Sequence, residues 1–145
     1  VGRMLKQIPL QRIAHNAIPS VVYTNPEIAC IGLTEKDLNE IHEGDFAPSM
    51  STDEPFVPYE VHKLPMTFSG RFVAENEGET GLCKVIVDKR NKTIMGVHMI
   101  GNPCSEFVAA ASFAVRMGYT VGEFKQVVFP HPTVGEVLRE VIMEA

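Results

Sequence analysis

The stretch LCKVIVDKRNKTIMGVHMI, residues 82–100, decides how this chain folds. Its two apolar runs, Leu82–Val87 and Thr93–Ile100, are rich in the β-branched and aliphatic residues that favour strands. The residues between them, DKRNK at 88–92, are all polar and mark a turn. We therefore predict a β-hairpin here, in the most regular part of the sequence.

Three further strands are predicted before the hairpin, at residues 21–23, 28–31 and 59–64. Asn25-Pro26 is a turn signal between the first two of them. A helix is predicted from Thr34, a residue type that caps helices, with Leu38 and Ile41 facing inward.

Two segments show no regular pattern. Residues 1–18 have no clean periodicity, which is typical of a linker or of the tail of a preceding unit. Residues 43–58 (EGDFAPSMSTDEPFVP) combine three prolines with acidic and small polar residues, which predicts a solvated excursion of the chain.

Three helices are predicted after the hairpin. The first runs from Pro103 to Met117 and stops at Gly118, a residue suited to the C-cap. Apolar residues surround this helix, so we expect it to be covered on most sides, either by its own sheet or partly by a second subunit. A short helix is predicted at residues 121–126.

The final helix carries one apolar stripe with i, i+3, i+4, i+7 and i+8 spacing: Val134, Val137, Leu138, Val141 and Ile142. Strands first and helices later favour an α+β fold. We predict an antiparallel sheet with helices packed on one face.

Length, charge and hydrophobicity exclude several classes of protein for this chain. A chain of 145 residues fits one domain and is long enough for a hydrophobic core. Its net charge of -5 gives no electrostatic reason to expect nucleic acid or an anionic membrane as a partner. The longest strongly apolar stretch, Phe107–Val115, falls far short of the ~20 residues that a membrane-spanning helix needs. No signal or transit peptide is visible.

The three cysteines, Cys30, Cys83 and Cys104, are widely spaced and form no C-x-x-C pair. That spacing argues against a disulfide framework and against a zinc site, so no metal centre is expected. Buried, reduced thiols are the simplest interpretation, and they favour a reducing compartment. We predict a cytoplasmic location.

The segment FPHPTVGE, Phe129–Glu136, is the candidate for chemistry. His131 lies between two prolines, which stiffen its backbone as a positioned acid–base group requires. Thr133 and Glu136 have the spacing of a capping box at the start of the final helix. A carboxylate in that first turn could also orient the imidazole, as in a general base. The alternative is a helix cap beside a histidine with no catalytic role.

Other parts of an active site are missing. The remaining histidines, His15, His42, His62 and His98, show no ligand spacing, and we expect them to face solvent or to have hydrogen-bond partners. There is no Gly-x-Gly-x-x-Gly fingerprint, no nucleophile elbow and no redox cysteine pair. An acid–base pair without a nucleophile or a cofactor would be only part of an active site, and the other groups would have to come from elsewhere.

Several motifs together resemble a known family: IPSVVYTNPE at 18–27, GLTE at 32–35, GLCKV at 81–85, IMGVH at 94–98, and HPT at 131–133 with Glu136 beyond it. The order and content of these motifs are similar to the C-terminal dimerisation domain of pyridine-nucleotide disulfide oxidoreductases, most like the dihydrolipoamide dehydrogenases. By this resemblance, residues 1–18 are a linker or the tail of the preceding domain, and 19–145 are the dimerisation domain.

The resemblance implies a flavoenzyme that is a homodimer with shared active sites. FAD and the redox cysteine pair would lie in the N-terminal part of one subunit, and the partner's C-terminal domain would supply His131 as acid–base and Glu136 to orient it. The chemistry would be oxidation of a dihydrolipoyl dithiol, with electrons passing through a disulfide and FAD to NAD+. The bond before Pro132 would be cis, with His131 and Pro132 next to the partner's flavin. This chain alone is expected to bind no cofactor and to be inactive.

Three alternatives stay open. A glutathione reductase-like enzyme would have the same histidine–glutamate spacing, whereas a mercuric reductase is disfavoured because its C-terminal cysteine pair is absent. A non-catalytic interaction module is the alternative from a different class. The segment 43–58 departs from the family by its length and its prolines, so its role is open.

Overall fold

The computed structural model describes residues 14–43 and 57–145, which contain a five-stranded antiparallel sheet. The strands are β1 (Ser20–Val22), β2 (Ile28–Gly32), β3 (Tyr59–Leu64), β4 (Leu82–Asp88) and β5 (Ile94–Ile100). Their spatial order is β1-β2-β5-β4-β3, and every neighbouring pair is antiparallel. All five strands were predicted, with bounds that agree to within one residue.

The predicted hairpin β4–β5 forms the middle of the sheet. Its register pairs Leu82 with Ile100, and an irregularity between Ile86 and Val87 shifts the pairing near the turn. Asp88 closes the turn, since its backbone N–H donates to the Thr93 carbonyl and its buried carboxylate accepts from Arg90. These contacts satisfy the polar groups of the turn that joins two almost fully buried strands.

In the described ranges, five helices accompany the sheet: α1 (Glu35–Glu43), α2 (Gly70–Glu75), α3 (Cys104–Met117), α4 (Val121–Phe124) and α5 (Glu136–Met143). Short 3-10 segments lie at His15–Ala17 and Met66–Phe68. Four of the helices were predicted. Helix α2 and both 3-10 segments were not, and α4 ends at Phe124 instead of Gln126.

Local signals account for where α1 and α3 begin and end. Thr34 caps α1 reciprocally with Asp37: the Asp37 N–H donates to the Thr34 hydroxyl, and the Thr34 N–H donates to the Asp37 carboxylate. Gly118 ends α3 in the left-handed conformation, with φ of 66°. Both features agree with the sequence-based expectation.

The main core lies between one face of the sheet and helices α2 to α5. It is built from alternate strand residues and the inward faces of the helices, among them Val85, Val97, Phe72, Val108, Ala111, Leu138 and Val141. A smaller cluster covers the opposite face, where Leu38 of α1 packs with Ile86 and Met95. The α+β fold with an antiparallel sheet is as predicted. The expectation that the helices pack on one face is wrong for α1, which covers the second face because β4 carries apolar side chains on both sides.

Helix α3 is covered on one side only within the single chain. Val108, Ala111 and Ala114 are buried against the sheet, whereas Phe113 is 69% and Met117 63% exposed. The expectation that this helix is covered on most sides is therefore not met by the chain's own sheet, which can contact only one face of a helix.

Some expectations lie outside the described residues. These are the linker character of residues 1–13, the excursion at 44–56 and the side chains of Ile41 and His42. Within 14–43 and 57–145, no helix is both long and apolar enough to cross a membrane.

Candidate active site

The loop between α4 and α5 presents His131 to solvent. Its side chain is 82% exposed, and the flanking prolines restrict the backbone on both sides. The His131–Pro132 peptide bond is cis, in agreement with the sequence-based expectation. The loop therefore displays an imidazole from a stiff support.

The structure brings His131 and Glu136 together. The distance from His131 Nδ1 to Glu136 Oε1 is 2.9 Å, and the second carboxylate oxygen accepts from the Thr133 backbone N–H at 2.8 Å. With an ionised carboxylate as acceptor, Nδ1 carries the hydrogen, so Nε2 of a neutral ring has the free lone pair. The geometry leaves Nε2 available as a base.

Electrostatics keep the carboxylate ionised. The Thr133 N–H is the main cause that lowers the pKa of Glu136; desolvation opposes it, and the hydrogen bond from His131 adds to the lowering. Glu136 is therefore an anionic hydrogen-bond acceptor for His131 Nδ1.

Of the two hydrogen bonds expected for a capping box at Thr133, one is present and the other is not. Glu136 does reach back to the Thr133 N–H, but the Thr133 hydroxyl donates to the Pro130 carbonyl at 2.8 Å and does not cap the helix. Helix α5 begins only at Glu136, after a turn closed by Val134 and Gly135. The hydroxyl is used within the loop because the helix starts later than the spacing predicted.

Sequence reasoning missed one residue that holds this loop. Ser69, which is 3% exposed, donates from its hydroxyl to the Thr133 carbonyl at 2.9 Å. The same hydroxyl accepts from the N–H of Phe72 and so caps α2. A serine before a short helix was the available signal, but the segment lacks the acidic partner that makes a capping box easy to identify.

A cleft of about 440 Å³ adjoins the loop. Its lining includes three residues of the loop, Pro130, Pro132 and Thr133, the aromatic rings of Phe107 and Phe129, and two charged residues of α2, Arg71 and Glu75. His131 does not line this cleft. Among the described residues, no three His, Cys, Asp or Glu side chains are grouped as a metal site.

The cysteines are free, and they are poor nucleophiles. Burial, with a smaller contribution from Cys104, raises the pKa of Cys83 to about 12. Burial and the nearby Glu27 carboxylate raise the pKa of Cys104 to about 11. The half-buried Cys30 also has a raised pKa, chiefly from desolvation. Chemistry at these thiols is disfavoured.

Two of the remaining histidines agree with expectation and one does not. His15 is exposed, and His98 Nε2 lies 2.9 Å from the Leu33 carbonyl. For His62 the expectation is wrong: its Nε2 is buried, lies 3.7 Å from Glu60 and has no hydrogen-bond partner within the described part of the chain. The packing of β3 side chains, which a pattern of residue types does not specify, explains the miss.

Comparison with known proteins gives one consistent result. Residues 18–142 match the family model described as pyridine nucleotide-disulphide oxidoreductase, dimerisation domain. The chain is 35% identical to the mitochondrial dihydrolipoyl dehydrogenase of Caenorhabditis elegans, over 92% of this chain and 24% of the relative. It is 32% identical to dihydrolipoyl dehydrogenase 3 of Pseudomonas aeruginosa, over 93% of this chain and 27% of the relative.

Solved structures show the same fold. LpdA from Mycobacterium tuberculosis superposes with a TM-score of 0.78 at 20% identity, over 99% of this chain and 28% of that one. The HOCl-induced flavoprotein disulfide reductase RclA from Escherichia coli gives a TM-score of 0.70 at 19% identity, over 87% of this chain and 26% of that one.

The chain spans about a quarter of the length of the curated relatives it matches. The matched segment, the α+β fold and the order of the motifs all agree. This chain belongs to the dimerisation domain family of the pyridine nucleotide-disulphide oxidoreductases.

Proposed function

We propose that this chain is the C-terminal dimerisation domain of a dihydrolipoamide dehydrogenase-like flavoenzyme, in which His131 and Glu136 form the acid–base pair for dithiol oxidation. The 2.9 Å contact between His131 Nδ1 and the Glu136 carboxylate, on an imidazole that is otherwise exposed, carries the proposal. The names of the relatives support the substrate class, since they are dihydrolipoyl dehydrogenases.

The chemistry assigned to this chain is one proton transfer. His131 Nε2 takes the proton of a substrate thiol, because only the thiolate attacks a disulfide at a useful rate. Glu136 keeps the ring oriented and stabilises the imidazolium that results. The thiolate attacks a disulfide in the other subunit, which forms a mixed disulfide and releases one enzyme thiolate. The second substrate thiol passes its proton to that enzyme thiolate and attacks the mixed disulfide. The substrate disulfide then forms, and the second enzyme sulfur leaves and takes the first proton back from His131, which completes the enzyme dithiol.

FAD and NAD belong to the full-length enzyme in this proposal. When bound, FAD accepts the two electrons of the enzyme dithiol and passes them to NAD+. The described residues offer a flavin the exposed edge of His131 and Pro132 beside an apolar cleft, which suits contact with a ring system. The chain carries no glycine-rich phosphate loop, so it is expected to hold neither dinucleotide alone.

The proposed partners are a second copy of the subunit, the N-terminal FAD and NAD domains of the parent chain, and a dihydrolipoyl-bearing substrate. The exposed apolar side of α3 supports the homodimer. Residues 19–145 would form the domain and 1–18 its link to the preceding part. No nucleic acid or membrane partner is proposed. The cytoplasmic location remains a prediction, and the Caenorhabditis elegans relative is named as mitochondrial.

The test is dihydrolipoamide-dependent NAD+ reduction by the full-length parent. His131→Gln should lower turnover by about 10²- to 10⁴-fold, the usual contribution of a general acid–base group. Glu136→Gln should lower it less, because the amide still orients the ring but lacks the charge. His15→Gln, at an exposed histidine in a 3-10 segment, is the matched control and should leave turnover unchanged.

Flavin content and dimerisation should survive in all three variants, because neither needs the proton. Near-normal turnover in His131→Gln would overturn the proposal and leave Glu136 as part of a loop contact only. Turnover of glutathione disulfide in place of dihydrolipoamide would favour the glutathione reductase-like alternative. No dithiol or disulfide turnover in a flavin-loaded parent would favour the interaction module.

A further inference from the structure

Hydrogen bonds on both sides of Thr133 connect the candidate base to the protein interior. His131 Nδ1 contacts Glu136 Oε1, Glu136 Oε2 accepts from the Thr133 N–H, and the Thr133 carbonyl accepts from the Ser69 hydroxyl. Along this path the groups change from exposed to buried: the His131 side chain is 82% exposed, whereas Ser69 is 3% exposed. The last group in the series is therefore the one held by packing.

Ser69 is itself well anchored. It is the N-cap of α2, and its hydroxyl accepts from the Phe72 N–H at 3.2 Å. Phe72 is fully buried in the main core. A hydroxyl group has one hydrogen to donate and two lone pairs, so it can cap α2 and donate to Thr133 at the same time. The position of the Thr133 carbonyl is thereby tied to the core.

We propose that Ser69 is a positioning residue for the acid–base pair, which acts by holding the Thr133 carbonyl and so restricting the backbone of the residue that presents its N–H to Glu136. The inference rests on the proposed function of His131 and Glu136. The carbonyl that Ser69 contacts and the N–H that Glu136 contacts both belong to Thr133. A hydroxyl that fixes the carbonyl therefore restricts the backbone rotation that would move the N–H. Without it, Glu136 loses a fixed partner and His131 loses a fixed carboxylate.

The contact holds the loop in which Thr133 was expected to cap α5. The Thr133 hydroxyl is occupied by the Pro130 carbonyl, and α5 has no side-chain cap at Gly135. The loop before α5 is therefore held from outside, by α2, over a separation of 64 residues.

The experiment uses the full-length parent with Ser69→Ala, Ser69→Gly and Ser69→Thr. Glycine keeps most of the capping preference but removes the hydroxyl, and threonine keeps the hydroxyl. We expect Ser69→Ala and Ser69→Gly to lower kcat for dihydrolipoamide by about tenfold, with KM nearly unchanged, because misorientation slows the chemical step. Ser69→Thr should restore most of kcat.

Thr120→Ala is the matched control, since the Thr120 hydroxyl likewise caps a helix, α4, through its hydrogen bonds with Glu123. It should leave kcat unchanged. The decisive comparison introduces Ser69→Ala into the His131→Gln background, where a residue that acts through His131 can have no further effect on turnover.

Wild-type kcat in Ser69→Ala and Ser69→Gly would overturn the inference, and so would the same fold-loss of kcat with and without His131. If Ser69→Ala does not yield folded enzyme, Ser69→Gly and Ser69→Thr still decide the question. The proposed function has its own outcome, because near-normal turnover of His131→Gln alone would refute that function whatever Ser69 does. A large loss in His131→Gln with normal Ser69 variants would refute the positioning role only.

Discussion

At the residue scale, burial separates the side chains that can react from those that cannot. Among the histidine side chains that the structure describes, His131 is the one with its ring in solvent and a carboxylate on one nitrogen, whereas Cys83 and Cys104 are fully buried with raised pKa values. The candidate chemistry in this chain is therefore proton transfer at an imidazole, and its thiols serve as small apolar residues of the core.

The thiols allow a direct test. Native chain treated with iodoacetamide at pH 8 should be modified first at Cys30, and Cys83 should react at least about 100-fold more slowly, because the thiolate is the reactive form and burial both hides it and raises its pKa. Peptide mass spectrometry gives the rate at each site. All three should react at similar rates in denaturant. Equal rates for Cys30 and Cys83 in the folded chain would contradict this assignment of burial.

At the element scale, single residues at helix ends govern where helices stop. Gly118 has φ of 66° and an added Cβ would meet nothing within 4 Å, so any cost of Gly118→Ala comes from the backbone alone. We expect Gly118→Ala to lower the free energy of unfolding by about 1 kcal/mol. Chemical denaturation of the two proteins measures the difference.

Gly122→Ala is the control for that measurement. Gly122 lies within α4 without a positive φ, and its added Cβ would lie 3.9 Å from the Thr120 hydroxyl, an ordinary contact. Alanine there should be neutral or stabilising by up to about 1 kcal/mol. The two glycine-to-alanine substitutions should thus change the free energy of unfolding in opposite directions. A stabilising Gly118→Ala would show that α3 does not end in the left-handed conformation.

At the scale of the whole molecule, α3 exposes a large apolar surface of the kind that is buried in protein–protein interfaces. Phe113 and Met117 stand in solvent on a helix whose opposite side is packed on the sheet. We expect the chain to self-associate, and Phe113→Asp in the full-length parent to raise the dimer dissociation constant by at least about 100-fold, since a C2 interface would place the charge twice.

Sedimentation velocity measures that change. Val73→Asp is the control, because Val73 is 51% exposed on α2 and lies outside α3. The control should remain dimeric with the parent's dissociation constant. An unchanged dimer in Phe113→Asp would remove α3 from the interface and leave its apolar side without an assigned role.

Much of this architecture follows from short-range patterns. The strands of the hairpin, the turn at 88–92 and the end of α3 at Gly118 are all specified by residues close together in the chain, and each was predicted. The same holds for His131 and Glu136, which are five residues apart and come into contact across a single turn. Short loops leave few other conformations, so local sequence is informative there.

Contacts between distant segments could be identified only from the folded structure. The bond from Ser69 to Thr133 joins residues 64 apart, and α2, which places Ser69, left no periodic signal in its six residues. The second face of the sheet, covered by Leu38, and the burial of His62 Nε2 also depend on how elements pack. A local pattern states which residues prefer a strand or a cap. Which carbonyl a buried hydroxyl meets is decided only when the core has assembled, because that geometry is set by packing between elements and not by the preference of either segment.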